Sequence, residues 1–579
     1  MEILTADKQK ITEAFFGREW KEYTENKKDP YRTFQIFRFI KDPSSRERLM
    51  PDITYAADWF EHENVMGRDP RGESDFEAIR LVPLYYECVD ALDENARTSL
   101  DRFFLKREYD SIYGSENHAI MYRVARYLAA QFYLGEKSVF FEQYGKKTPE
   151  EMYKTDLDYI NEYLDFRAGR AWGEFDSLGY GAEIMLILAT LYTYTKDAVL
   201  KKKVGMIMDV ILLDMICDSK NGLYGGAHGR IYPPAALDTK NSGMFHIYCY
   251  YFGLRYSITN ETLNIPASLI LSDYKPEEIV YAVERSRQYP YMNRERKHLH
   301  SVSSWNRPQI NRENIALLEN SFISKQTYVG ERYMLGAVNR QDSYPNDAVE
   351  DLGYAHHQQH EWELTLYGGT SHKIFSHHPG DPGYHHIHNR WTGDLGCVCS
   401  THYTNDKTAL SIYTITKLKE YPYINAYVPL EIFSKRIFDG KYIFLEYPGL
   451  YISLYFSSGY RINDTDEYKD KEILSDGRRH AVVLRVEHEE RFSSLEDFAE
   501  HIKKIPVVYD QEARTLDFDG IHLDYNMNSE NGVANVYPYK LYDSPYMQSE
   551  WRSGIVEVTA DNRKCVYDFN KVEISYIKE

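Results

Sequence analysis

Cysteine is scarce in this chain, with six residues in 579: Cys88, Cys217, Cys249, Cys397, Cys399 and Cys565. So few thiols over that length do not make a disulfide framework. Cys397 and Cys399 would share one face of a strand, and buried, inert thiols are the expected role of the set. Positive charge is also short, since Lys+Arg 69 against Asp+Glu 88 leaves a formal net charge of −19. A nucleic-acid binder would carry a basic face or stripe, so that class is set aside. A few arginines can still dominate one cleft and hold an acidic ligand. No apolar run is long enough to cross a membrane, and Met1–Lys8 begins no secretory signal. As written the protein is expected in the cytoplasm, or in the periplasm or outside the cell if a leader has been removed. No strict internal repeat is visible, which argues against a regular repeat protein.

Aromatic residues, by contrast, are abundant at 15%, with 52 tyrosines. Rings stack on sugar faces while phenol hydroxyls bond sugar hydroxyls, although a compositional habit of the source explains the count equally well. The length predicts two or three domains. Up to about Asn260 the apolar spacing is helical, in segments such as Asp75–Ala91, Asn117–Leu134, Pro149–Asp165, Gly179–Tyr194, Ala198–Cys217 and Ser242–Tyr256. Short polar connections join them, which implies antiparallel hairpins in series. Tyr274–Pro290 reads as a helical linker. From about Ser301 strand-like runs take over, punctuated by Ser-Ser-Gly, Asp-Gly and Pro-Gly turns, with one short helix at Leu495–Lys503 capped by Ser494. The expected fold is α+β and multidomain: an incomplete (α/α) toroid over 1–285, then an antiparallel β-sandwich over 286–579.

Three polar constellations fall at helix starts or loops of the first half. Ser115-Glu116-Asn117-His118 opens a helix, with Ser115 or Asn117 able to cap it. Trp172-Gly173-Glu174-Phe175-Asp176 leads through glycines to Tyr180 at the next helix mouth. Tyr224-Gly225-Gly226-Ala227-His228-Gly229-Arg230-Ile231-Tyr232 is a Gly-rich loop, a type common where backbone approaches a ligand. Asn117, His118, Tyr180 and Arg230 are the parts needed for elimination across a uronic acid. Asn and Arg can neutralise the carboxylate and stabilise the aci-enolate formed on proton loss. Tyr or His can take the proton, and a Tyr hydroxyl can protonate the leaving oxygen. Trp172, Glu174, His228 and Tyr232 are the accompanying substrate-binding candidates. Each residue alone has a plainer role, as cap, structural imidazole or surface ion pair; the combination carries the functional reading. A fourth cluster, from Tyr354 to Asn405, holds ten of the 20 histidines. Imidazoles on neighbouring strands can converge on a Zn²⁺ or another first-row ion.

At these residues the chain resembles the α/α-toroid polysaccharide lyases of the heparinase II/III and oligoalginate lyase group. Asn117-His118 followed by Tyr180 matches that group's Asn-His step and later Tyr. His360 before Glu363-Leu364-Thr365-Leu366-Tyr367-Gly368, then His378-Pro379-Gly380 and Thr401-His402-Tyr403-Thr404-Asn405, match its β-domain motifs. The resemblance implies His360, His378 and His402 as ligands of a structural divalent metal, Zn or Mn. The group's His-x-His-x-Asp pattern is not reproduced, because Gln358-Gln359 stands there. That leaves its β-domain catalytic His unassigned between His356 and His357. His378 stands where the group has an Asp, and Asp381-Pro382-Gly383 three residues on makes Asp381 a rival ligand. The implied activity is β-elimination on a uronic-acid-containing glycan, glycosaminoglycan- or alginate-like, leaving a 4,5-unsaturated product. The alternatives are an α/α-barrel glycoside hydrolase using Glu174 with Asp176 or Asp238, or a non-catalytic glycan-binding relative. The expected partner is an acidic poly- or oligosaccharide, with no nucleic acid, no membrane and a homodimer left open.

Overall fold

The computed structural model describes residues 10, 12–13, 32–61, 74–109, 116–253, 266–298, 322–341, 360–379, 391, 400–415, 421–525 and 539–578. Ser115, His356, His357, Gln358, Gln359, Asp381, Cys397 and Cys399 lie outside them.

The first half is helical, and its longest helices end where the local chemistry tells them to. Pro149–Ala168 starts from a full capping box, Thr148 with Glu151. Ala198–Cys217 starts where the Asp197 carboxylate accepts from the amides of Val199 and Leu200. Tyr180–Tyr194 and Ala198–Cys217 are apolar almost all round and buried on most sides. Two helices differ from the periodic reading. Asp75–Ala91 is broken into Ser74–Leu81, Pro83–Glu87 and a 3₁₀ turn at Val89–Ala91, because Pro83 removes a ladder donor. The helix expected to reach Tyr256 stops at Phe252, where Gly253 takes a left-handed φ of 93°. In the 274–290 linker only Glu278–Ser286 is helical.

Apart from a hairpin of Ser219–Lys220 with Leu223–Tyr224, strands begin at Tyr291–His298; they build two large antiparallel sheets and a three-stranded one from Val507–Asp510, Thr515–Phe518 and Ile521–Asp524. The larger has thirteen strands among the described residues, with Tyr291–His298, Phe322–Val329 and Tyr333–Gln341 adjacent near its middle. The other has six strands. Their facing sides share one apolar core: Leu335, Leu364 and Ile374 of the large sheet meet Ile452, Leu484 and Val486 of the smaller. The helix Leu495–Lys503 is present, with the Ser494 hydroxyl accepting from the Asp497 amide.

The two halves do not keep separate cores. Val556, Val558 and Tyr567, on the last strands, belong to the same buried cluster as Leu128, Ile187 and Leu212 of the helices. The large sheet also turns charge toward the helices. Period-two alternation puts Glu295, Lys297 and Lys325 on one face of two adjacent strands and Arg294 and Gln326 on the other. The first three are buried against the helical half.

Candidate active site

The site is assembled around the loop 171–179, which joins the helices Pro149–Ala168 and Tyr180–Tyr194. Glu116, at the first turn of Glu116–Phe132, shapes its beginning. Its buried carboxylate accepts from the amides of Gly173 at 2.8 Å and Glu174 at 3.1 Å and from the Tyr163 hydroxyl at 2.9 Å, and it pairs with Arg167. Ser177 closes the end, accepting from the Tyr180 amide at 3.0 Å and donating to the Arg230 carbonyl at 2.8 Å. Ala171, Asp176 and Arg230 all hold positive φ, at 53°, 48° and 43°. That conformation costs a non-glycine residue about 1–2 kcal/mol, so tertiary partners must hold it.

For Asp176 those partners come from the β half. Lys297 and Lys325 each pair with its carboxylate, Lys325 at 2.5 Å, and the His228 ring Nδ1 lies 2.9 Å from its carbonyl oxygen. A carbonyl only accepts, so Nδ1 carries the proton. Burial pushes the His228 imidazole down to about 3, which keeps it neutral. Lys325 also reaches Asp218 at 2.5 Å, Lys297 reaches Asp214 at 2.8 Å, and Glu295 lies beside both lysines. Burial would raise the Asp176 carboxyl, but the two ammoniums hold it well below the usual carboxylate range. Burial drives the Glu295 carboxyl well above that range despite Lys297. Four carboxyl groups and two ammoniums thus fill the seam between the halves.

Asn117, Glu174, Tyr180, Arg230 and Tyr232 do come together. Asn117 Nδ2 donates to Glu174 Oε2 at 3.2 Å, and Arg230 Nη1 pairs with Glu174 Oε1. The Arg230 guanidinium carbon stands 3.9 Å from the centre of the Tyr180 ring, a cation–π contact. The Tyr180 and Tyr232 hydroxyls are 2.8 Å apart. Burial pushes the Tyr180 hydroxyl well above the ordinary tyrosine range, against the downward pull of Arg230. His118 is buried beside them with Nδ1 2.6 Å from Asp75 Oδ2. Burial opposes charge on its ring, but the Asp75 carboxylate overrides that and leaves the imidazole above its ordinary value. Trp172, half-buried against Tyr163, lines one cavity with Glu116, Glu174, Tyr180, Asp214 and Lys297. Its volume is about 30 Å³.

His228 is placed elsewhere than a ligand would need. It is fully buried beneath the loop and bridged by its backbone to His360 at 2.8 and 2.9 Å. The Gly-rich loop is likewise glycine-rich for packing. A Cβ on Gly225 would meet Thr365 Oγ1 at 2.3 Å, and one on Gly226 would meet Thr327 Oγ1 at 2.9 Å. The close approach is to the sheet.

His360, His378 and His402 do not fit one ion in this arrangement. His360 Nε2 lies 3.1 Å from Glu363, His378 Nε2 2.9 Å from the Tyr421 carbonyl, and His402 binds Ser411 at 2.8 Å and Glu361 at 3.2 Å. Among the described residues, the one His/Cys/Asp/Glu group with ligand atoms within 4.8 Å is Asp176, Asp218 and Glu295. Lys325 already lies against all three. No step below therefore runs through a metal.

Asp75, Glu116, Lys297 and Lys325 were not singled out from sequence. The one signal for them was Asn293–Lys297, a strand whose charges fall on both faces.

No protein-family model matches the chain, and no curated protein matches it significantly. A solved structure of chondroitinase AC lyase, reported with oligosaccharide complexes and mutagenesis of its active site, is similar over 99% of this chain and 98% of that one. The identity is 10% and the TM-score 0.36. The side chains, not that likeness, carry the function argued next.

Proposed function

We propose that the protein is a lyase that cleaves a uronic-acid-containing poly- or oligosaccharide by β-elimination, leaving a 4,5-unsaturated sugar. In this reading 1–285 is an incomplete (α/α) toroid that carries the site, and 286–579 is the β-sandwich that buttresses it. The observation behind the proposal is that Asn117 and Arg230 jointly grip a carboxylate while Arg230 lies across the Tyr180 ring.

The chemistry follows from those contacts. A uronate carboxylate between the Asn117 amide and the Arg230 guanidinium has its charge offset, which acidifies the neighbouring C–H. The Tyr180 and Tyr232 hydroxyls are hydrogen-bonded at rest; Tyr180 gives its proton to solvent water as the substrate binds, and the phenolate left behind is supported by the Arg230 guanidinium over its ring. The phenolate removes the proton alpha to the carboxylate, and the C–H electrons move into an aci-enolate held by Asn117 and Arg230. Those electrons then form the C=C bond as the C–O bond to the leaving sugar breaks. The captured proton passes to the leaving oxygen. His118, held by Asp75, stands beside this grip and keeps the first turn of its helix in place.

Hydrolysis would need two carboxylates across the scissile bond. Asp176 is locked between two lysines, and Asp238 caps a turn at the Lys240 amide, so neither pairs with Glu174. Incubation with glycosaminoglycan and alginate polymers should produce ultraviolet-absorbing unsaturated ends. Tyr180→Phe should lower kcat by about 10²–10⁴. Full activity in that variant, or new reducing ends without the chromophore, would overturn the assignment.

A further inference from the structure

Arg230 and Asn117 already hold a carboxylate, and it belongs to the chain. Glu174 presents one oxygen to each of them, from the wall of the same cavity that Tyr180 and Trp172 line. Its backbone is fixed, because Glu116 accepts from the Glu174 amide. Among the described residues its side chain is tied through those two contacts, at the end of a chain of methylenes. In this state the site carries little net charge: Arg230 is neutralised by Glu174 and His118 by Asp75.

A uronate entering this arrangement meets a difficulty of elementary electrostatics. Its carboxylate needs the donors that Glu174 occupies. Placed beside Glu174 instead, it would bring two like charges to one guanidinium, with buried Glu116 adding a third. Like carboxylates at hydrogen-bonding distance cannot both remain ionised. One of them must leave or take a proton.

Building on the lyase reading above, we propose that Glu174 is an internal stand-in for the substrate carboxylate, a specificity-determining residue that uronate must displace. The exchange replaces one carboxylate–Arg pair with another, so the carboxylate of a lone sugar gains little. Displacement is driven by contacts to the neighbouring sugar units, for which Trp172 and Tyr232 supply aromatic surface. Glu174 thereby makes the site select uronate within a chain over free uronic acid. It also keeps Arg230 paired, and the loop ordered, when no glycan is bound.

The test is calorimetric and needs no turnover. Glu174→Gln keeps the side-chain length and removes the competing charge, and Glu174→Ala serves as a second variant should the first disturb Arg230. Each is titrated, beside the wild type, with free glucuronic acid, with tetrasaccharides of unsulfated chondroitin and of alginate, and with their carboxyl-reduced forms. Both variants should bind the acidic tetrasaccharides at least about tenfold tighter than wild type (1.4 kcal/mol) and bind free glucuronic acid measurably. Affinity for the reduced forms should be unchanged. Equal affinity in wild type and variants overturns the inference and leaves the lyase reading standing. Weaker binding by the variants also overturns it, since Glu174 would then be a direct ligand of the sugar. Uronates that bind neither wild type nor variants overturn the lyase reading and the inference together.

Discussion

Glu174 and Asp176 stand two residues apart in one loop and meet opposite surroundings. Glu174 is held by one neutral amide and one arginine, both from the helical half, on a cavity wall. Asp176 is held by two lysines from adjacent strands of the β half, with its carbonyl clasped by His228. The first contact can be exchanged for a ligand's carboxylate without stranding any charge. The second cannot, because removing one member leaves buried charges unpaired. A single loop thus carries a replaceable carboxylate for recognition and a fixed one for position, and what separates them is how many buried charges depend on each.

The largest effect that sharpens this contrast is at Lys325. Lys325→Met leaves Asp176 and Asp218 short of a counter-charge and should cost about 3–5 kcal/mol in denaturant unfolding. A cost below about 1 kcal/mol would erase the distinction between the two carboxylates. Next comes Asn117→Ala, which should reduce kcat about 10²–10³-fold, the range for loss of one oxyanion donor, while circular dichroism stays unchanged. Wild-type turnover in that variant would return Asn117 to a purely structural helix-start role. His118→Gln removes a hydrogen bond between charged groups worth about 1.5–3 kcal/mol. The sign with pH follows from the raised imidazole value. The wild-type contribution is complete below the unfolded pKa of about 6.5 and fades as pH rises through the higher folded value. Wild type and variant should therefore converge in melting temperature on the alkaline side; a gap that stays constant with pH would remove the ion pair. Smallest is Glu174→Gln, which keeps an oxygen to accept from Arg230 but removes the charge of a buried pair; it should cost about 1 kcal/mol of stability, the difference between a charged and a neutral hydrogen bond, whatever it does to binding.

The helical segments around Asn117, Tyr180 and Ala198 were legible because a 3.6-residue apolar period is local information. The change from helix to strand was legible too, but it was read at about Ser301, whereas strand begins at Tyr291, directly after the helix that ends at Ser286. The grouping of Asn117, Glu174, Tyr180, Arg230 and Tyr232 was legible as a list of chemically apt residues at helix mouths and loops. Their contacts were not. The break at Pro83 was available from the sequence and is a matter of one missing donor. The partners that matter most were out of reach: Asp75 for His118, and Lys297 and Lys325 for Asp176, lie 43 to 149 residues away. His360, His378 and His402 are near in sequence, but each takes a partner of its own: Glu363, the Tyr421 carbonyl, and Ser411 with Glu361.

By itself the amino-acid sequence determined where most helices form, that strands dominate the second half, which faces are apolar, and that polar side chains gather at helix starts and loops of the first half. Those properties depend on residues a few positions apart. Tertiary structure alone decided that Glu174 occupies the grip of Asn117 and Arg230, that Asp176 is locked by two β-half lysines, and that the last strands complete the helical core. These are choices among charges distant in the chain, and only burial, by making an unpaired charge too costly, selects one pairing over the rest.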